Sequence, residues 1–277
     1  MENFKKILKG IGLLGLIIPT FFLCGCITSE EVKQERLIVA GSTTVQPIAS
    51  VVAEAYMKKH SDVLIAVQGG GSGTGVKMVA EGTADIGMSS RELKEKEINT
   101  HPDLKAHTIA HDGIAVVVHP SNPLSDLTKE QITDIFSGRI RNFKEMGGDD
   151  TETVVVIREE GSGTRATFEK LIMGDVDTAK NALQKPSNGA VKATIAGNEN
   201  AIGYLGIAYL DESVKAIKMN GIEPSKENIR SGQYPVSRKL YMITKGEAIG
   251  LAKKFIDFIL SDEGQRIVED EGFIEVK

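Results

Sequence analysis

The tetrapeptide Gly-Ser-Gly-Thr occurs twice, at 71–74 and 161–164, each time between a β-branched apolar run and a segment with helical apolar spacing. The first copy follows residues 63–67 and precedes Val76, Val79 and Ala80; the second follows 154–157 and precedes Phe168, Leu171 and Ile172. Strand, loop and helix in that order, repeated along a chain, imply α/β units on a mainly parallel sheet. The duplicated loop further predicts two similar lobes, each offering one loop to a shared cleft.

The remaining pattern agrees. Residues 37–40 read as a buried strand, followed by Gly41-Ser42-Thr43-Thr44 and a helix with Ile48, Val51, Val52, Ala55 and Tyr56 on its apolar face. Residues 84–88 form a third strand ending at Ser89-Ser90-Arg91, and 109–118 a longer one broken at His111-Asp112-Gly113. Residues 128–136 read as a helix capped by Thr128. Helices over 248–260 and 262–269 carry Ala252, Phe255, Ile256 and Ile259 at core spacing, which marks them as packing elements.

The N-terminus lies outside this fold. Lys5, Lys6 and Lys9 precede an uncharged run over 10–23, the grammar of a secretory signal and too short for a comfortable membrane span. Leu23-Cys24-Gly25-Cys26 resembles a lipobox, which makes Cys26 the candidate lipid anchor; the alternative is a plain secretory signal. Residues 1–25 are thus the signal and 26–34 a polar tether. After Cys26 there is no further cysteine, hence no disulfide, thiolate nucleophile or cysteine metal site in the folded body. Removing the signal's three lysines and one glutamate takes the net charge from −5 to −7, a balance that argues against nucleic acid as a partner.

The loops carry the chemistry. A helix N-terminus leaves N–H groups unpaired and holds partial positive charge, so Gly-rich loops feeding helices are anion sites, with Ser and Thr hydroxyls as extra donors. Ser42-Thr43-Thr44, Ser72-Gly73-Thr74 and Ser162-Gly163-Thr164 all fit, although each serine or threonine could instead be a plain N-cap. No G-x-x-x-x-G-K-[ST] is present, and the glycines at 71, 73 and 75 lack G-x-G-x-x-G spacing. Neither Ser72 nor Ser162 sits in a G-x-S-x-G elbow, and the five histidines show no H-E-x-x-H pattern. The mixed charges over 91–97 read as a solvated face.

Taken in order, Gly41-Ser42-Thr43-Thr44-Val45-Gln46-Pro47, Gly71-Ser72-Gly73-Thr74-Gly75-Val76, Asp85-Ile86-Gly87-Met88-Ser89-Ser90-Arg91, the segment from His111 to Val117 and the segment from Arg158 to Arg165 resemble the phosphate-binding component of the ABC-type phosphate importer. The resemblance spans essentially the whole mature chain. It implies a two-lobed periplasmic-binding-protein fold, lobe one formed by 35–112 plus 237–277 and lobe two by 113–236, closing on inorganic phosphate.

It also implies site roles. The first-loop donors fall on Ser42, Thr43 and Thr44, the second-loop hydroxyl on Ser72, and the cleft arginine on Arg158, with Ser162, Gly163 and Thr164 completing the second lobe's contacts. Glu160 lies where the family often pairs an acid with that arginine. Many members have an aspartate at the position of Ser90 to accept a hydrogen bond from protonated phosphate; here Ser90 or Asp112 is the candidate acceptor. The implied protein is a non-enzymatic solute-binding protein with no cofactor and no metal, partnered by an ABC permease and held on the outer face of the cell membrane through its lipid. A binder of molybdate, tungstate or sulfate, a secreted phosphatase, and a surface sensor remain as alternatives.

Overall fold

In the computed structural model, residues 34–276 are described; the signal segment and Cys26 lie outside them. The elements in chain order are β1 (Glu35–Gly41), α1 (Gln46–Lys59), β2 (Val63–Gly69), α2 (Ser72–Ala80), β3 (Ile86–Ser89), α3 (Glu95–Thr100), β4 (Leu104–Val118), β5 (Asp126–Leu127) and α4 (Lys129–Ser137). After a 3₁₀ turn at Phe143–Met146 come β6 (Val154–Arg158), α5 (Gly163–Phe168) continued by a π-helical turn at Glu169–Met173, β7 (Leu183–Lys185), α6 (Asn188–Ala196) and β8 (Ala201–Gly206). A second 3₁₀ turn, Ile207–Tyr209, leads to β9 (Lys215–Ala216), β10 (Lys218–Met219), α7 (Lys226–Arg230), β11 (Ser237–Lys245), α8 (Gly250–Ile259) and α9 (Asp262–Asp270).

The main sheet runs β2-β1-β3-β11-β4-β8-β6-β7, with β9 also on β4. Its two ends are parallel, β1 with β2 and β3, and β6 with β7 and β8. Its centre is antiparallel, because β11 and β4 run against each other and against β3 and β8. β4 is the spine. Up to Gly113 it pairs with β11, and from Ile114 onward with β8. The core divides at the same point: Ile109 and Ala110 pack with β1, α1, α8 and α9, whereas Ile114 to Val118 pack with α4, β6, α6 and β8. A third cluster, with Val76, Val79, Tyr241 and Ile243, lies beside α2 on the same side of the crossover as the first, so one continuous backbone carries two lobes.

Several expectations need correction. β4 is not broken at His111-Asp112-Gly113; it runs through, with Asp112 opposite Arg238 and Gly113 opposite Ser237. Gly113 does not adopt a left-handed conformation, and its small size serves packing, since a Cβ there would lie 2.3 Å from Ile229 Cδ1. On α1 the buried stripe is Ile48, Ala49, Val52, Ala53 and Tyr56, so the alanines rather than Val51 and Ala55 turn inward against β2 and α8. Small side chains let a helix sit close to its sheet. Arg91 is not on a solvated face: it is buried and bonds Glu97 through both terminal nitrogens, at 2.8 and 2.7 Å. Thr128 caps α4 as expected, its hydroxyl accepting from Gln131 N at 3.1 Å while the Gln131 side chain returns a bond to Thr128 N.

The second core centres on a ring cluster. Phe168 stacks on Tyr204 with centroids 4.0 Å apart, and Phe136 packs against both. The cluster fixes the end of β6, because the Tyr204 hydroxyl accepts from Arg158 N at 3.3 Å. Phe168→Ala is expected to lower unfolding free energy by about 3–5 kcal/mol, the usual cost of an aromatic deletion in a closed core. Urea unfolding checks it, and a loss within ordinary surface-mutation range would remove the cluster's structural role.

Candidate functional site

The N-termini of α1, α2, α5 and α6 meet at the junction of the lobes, and the residues that open the first three are the ones the loops predicted. Ser42, Thr44, Ser72, Ser90, Asp112, Arg158, Ser162 and Thr164 are all buried, Gly163 lies among them, and Thr43 is half-buried. In the first loop, Ser42 Oγ accepts from Thr44 N at 3.2 Å, which folds the chain back so that the Thr44 side chain leaves toward the second lobe. There Thr44 Oγ1 lies 3.1 Å from Thr164 Oγ1.

The second loop uses glycine conformationally. Gly71 adopts φ 88° ahead of α2, a region closed to most L-residues. Ser72 does not cap its own helix; its hydroxyl accepts from Ser90 N at 3.0 Å and lies 3.3 Å from Ser90 Oγ. Gly163, at the start of α5, packs onto this serine pair so closely that a Cβ would come within 2.3 Å of Ser72 Oγ and 2.5 Å of Ser90 Oγ. Nearby, Gly73 N donates across the lobes to Gly161 O at 2.9 Å. Ser162 does act as an N-cap, accepting from Arg165 N at 3.2 Å. The capping alternative therefore describes Ser162 but not Ser72.

Arg158 ends β6 and is 1% exposed. Its Nε donates to Lys185 O at 3.2 Å, and its Nη2 to Pro186 O at 2.8 Å and to Thr43 Oγ1 at 3.3 Å. Among the described residues it has no carboxylate partner, and Glu160 is exposed rather than paired with it. Burial pulls the guanidinium down to about 10, with Arg238 pushing the same way; it remains a cation at neutral pH.

Three residues of the site escaped sequence reasoning. Arg238, on β11, donates through Nε and Nη2 to Asp112 Oδ2 at 3.0 and 2.6 Å, through Nη1 to Thr164 Oγ1 at 2.9 Å, and through Nη2 to Thr44 Oγ1 at 3.3 Å. Burial pushes the Asp112 carboxyl upward, while the Arg238 charge and hydrogen bonds pull it back. Asn188, at the start of α6, donates to Thr44 Oγ1 at 2.9 Å, its orientation held by Gly206 N on Oδ1 at 3.4 Å. Tyr209 donates its hydroxyl to Thr43 O at 2.5 Å, and burial pushes its phenol up to about 12. A signal for Arg238 was present: in strand alternation it shares a face with the buried Leu240 and Met242.

The arrangement is a buried set of N–H and O–H donors drawn from both lobes, carrying one guanidinium neutralised by Asp112 and one that is not. Residues 28–263 match the PBP superfamily domain. The phosphate-binding protein PstS of Bacillus subtilis (strain 168) is 40% identical over 249 residues, covering 89% of this chain and 83% of that protein. A phosphate ABC transporter substrate-binding protein of Clostridium perfringens, solved with bound phosphate, is 44% identical with a TM-score of 0.84, over 88% of this chain and all of that one. An ABC-type phosphate transport receptor from Vibrio cholerae is 37% identical with a TM-score of 0.72, over 87% of this chain and 100% of that chain. With a match of this extent in sequence and backbone, the chain belongs to the PBP superfamily and, within it, to the PstS group of phosphate-binding proteins.

Proposed function

We propose that this protein is a binding protein, not an enzyme, that captures inorganic phosphate between its lobes and delivers it to the permease of an ABC importer. The observation that carries this is the Arg158 guanidinium, buried with carbonyl and hydroxyl partners and, among the described residues, with no carboxylate in hydrogen-bond contact, Glu159 acting on it only at a distance. An uncompensated buried cation costs several kcal/mol, and a bound anion offsets that cost. Around it, Ser42, Thr43, Thr44, Ser72, Ser90, Ser162, Gly163 and Thr164 supply the donors such an anion needs. Charge-assisted bonds of about 1.5–3 kcal/mol each, set against dehydration and lobe closure, suffice for micromolar capture, which requires about 8 kcal/mol net.

The lobes divide at 112/113 and 236/237 in this reading: β4 passes from one core to the other after Asp112, and the chain returns from Val236 into β11. The relatives named for phosphate binding and phosphate ABC transport support both the ligand and the importer as partner. Export through residues 1–25 and lipidation of Cys26 would hold the protein on the outer face of the membrane, beside that permease.

Isothermal titration with phosphate and sulfate tests the ligand: phosphate should bind in the micromolar range or tighter and sulfate far more weakly. Arg158→Ala should weaken phosphate binding by about 2–4 kcal/mol, with Arg158→Lys recovering part of it. A loss under about 0.5 kcal/mol would make Arg158 structural. Gly163→Ala should lower phosphate affinity at least about tenfold without unfolding the protein, because its Cβ drives the two serine hydroxyls and α5 apart. Unchanged affinity there would show that the observed lobe contact is not the binding form. Cys26→Ser should move the protein from the detergent phase to the soluble fraction, and unchanged partitioning would refute the anchor.

A further inference from the structure

We propose that Tyr209 is a positioning residue for phosphate capture: on closure it brings its hydroxyl from lobe two to the Thr43 carbonyl of lobe one, which fixes the first loop around the ligand and slows the ligand's release. This rests on the phosphate reading and adds to it the residue that ties lobe closure to the geometry of that loop.

The opening for such a contact is built into the first loop. Val45 N and Gln46 N both bond Ser42 O, at 3.1 and 3.0 Å, so the helical pattern already begins at Ser42. In that pattern the next carbonyl, Thr43 O, would take the N–H of residue 47, but Pro47 has none. Thr43 O therefore lacks its intrahelical donor, and a buried carbonyl left in that state costs free energy. Lobe two supplies the donor, the Tyr209 hydroxyl at 2.5 Å. Thr43 is then held twice from the same side, because Arg158 Nη2 reaches its hydroxyl at 3.3 Å.

The consequence reaches Thr44 through a rigid unit. Thr43 O and Thr44 N belong to one planar peptide. Its nitrogen end bonds Ser42 Oγ at 3.2 Å within lobe one, a single contact about which the plane can still rock. Tyr209 pins the oxygen end. With both ends fixed, the Thr44 side chain is presented to Thr164 Oγ1 at 3.1 Å and to Asn188 Nδ2 at 2.9 Å, among the donors of the site.

Tyr209 is itself carried rigidly. It closes the 3₁₀ turn after β8, where Leu210 N bonds Ile207 O at 3.0 Å. Ile207 is buried in the core of lobe two, whereas Ala208 packs against the core of lobe one, so close to the C-terminal segment that a Cβ on Gly272 would lie 3.2 Å from Ala208 Cα. The turn is thus the part of lobe two that seats on lobe one. Burial holds the phenol in its protonated form, so it donates at neutral pH. When the lobes part, the Tyr209 hydroxyl and Thr43 O each bond water instead, so the contact stabilises the closed form and leaves the open one unaffected.

Association and dissociation rates of radiolabelled inorganic phosphate are measured by rapid filtration with an unlabelled chase, and thermal melting of the phosphate-free protein checks folding. Tyr209→Phe deletes one oxygen and keeps the ring. It should raise the dissociation rate at least about tenfold, change the association rate by less than about twofold, and leave the phosphate-free melting temperature within about 2 °C. A tyrosine that only holds the fold together would lower that melting temperature and leave the dissociation rate alone. The route through Thr44 is tested by repeating the substitution in a Thr44→Val background, where Tyr209→Phe should raise the dissociation rate by less than about threefold, since the hydroxyl it positions is gone. Equal factors in the two backgrounds would make Tyr209 a simple tie between lobes, and an unchanged dissociation rate in the first would remove its role; either result overturns the proposal. Absence of phosphate binding by the unmutated chain would instead refute the phosphate reading itself, which keeps the two failures apart.

Discussion

A buried guanidinium without a carboxylate beside it is the constraint on which the rest of the structure depends. Arg158 sits at the end of a strand buried from Val155 onward, held by two carbonyls of its own lobe and a threonine hydroxyl from the opposite one. Dipoles of this kind orient a charge but do not cancel it. The surrounding helix N-termini add positive potential instead of relieving it. The fold has therefore assembled a local excess of positive charge within a chain whose net charge is negative, which is the basis for the proposed anion site between the lobes. Capture relies on a few fixed donors at short range, where burial keeps the interaction unscreened.

The second guanidinium does different work. Arg238 and Asp112 are directly opposed across β11 and β4, at the place where β4 crosses between the lobes and the chain enters β11. Their pair is neutral as a unit, and so it can be buried there without competing for the ligand. Its remaining N–H groups reach one threonine from each lobe. The backbone makes room for it, since a Cβ on Gly206 would lie 2.8 Å from Asp112 Oδ2. Crossover strands, ion pair and binding hydroxyls are thus one connected set of contacts, so that a change in lobe angle must also change the hydrogen bonding of the site.

The lobe contacts are individually modest: Gly73 N to Gly161 O, Tyr209 to Thr43 O, Asn188 to Thr44, and Arg230 to Glu275. Each is a hydrogen bond or ion pair that water could replace on opening, and none is a large apolar surface. Such an interface favours reversible closure, as release to a permease requires.

Local grammar alone determined that this chain builds strand–loop–helix units, that three serine- and threonine-bearing loops open helices, and that a buried strand over 154–157 precedes the third. Those features depend on neighbours within a few residues: Gly71 for its positive φ, Thr128 for its cap, apolar runs for buried strands. What the tertiary structure decided lies in contacts between distant positions. Asp112, in a segment that reads as a turn, is a strand residue because Arg238, 126 positions later, lies opposite it. Ser72 and Ser162 look alike in sequence, yet one bridges to Ser90 and the other caps its own helix, because Gly163 of the second lobe packs against the first pair alone. Sequence spacing can place a hydroxyl at a helix end, but which of its lone pairs are filled is set by groups that only the folded chain brings within 3 Å or so.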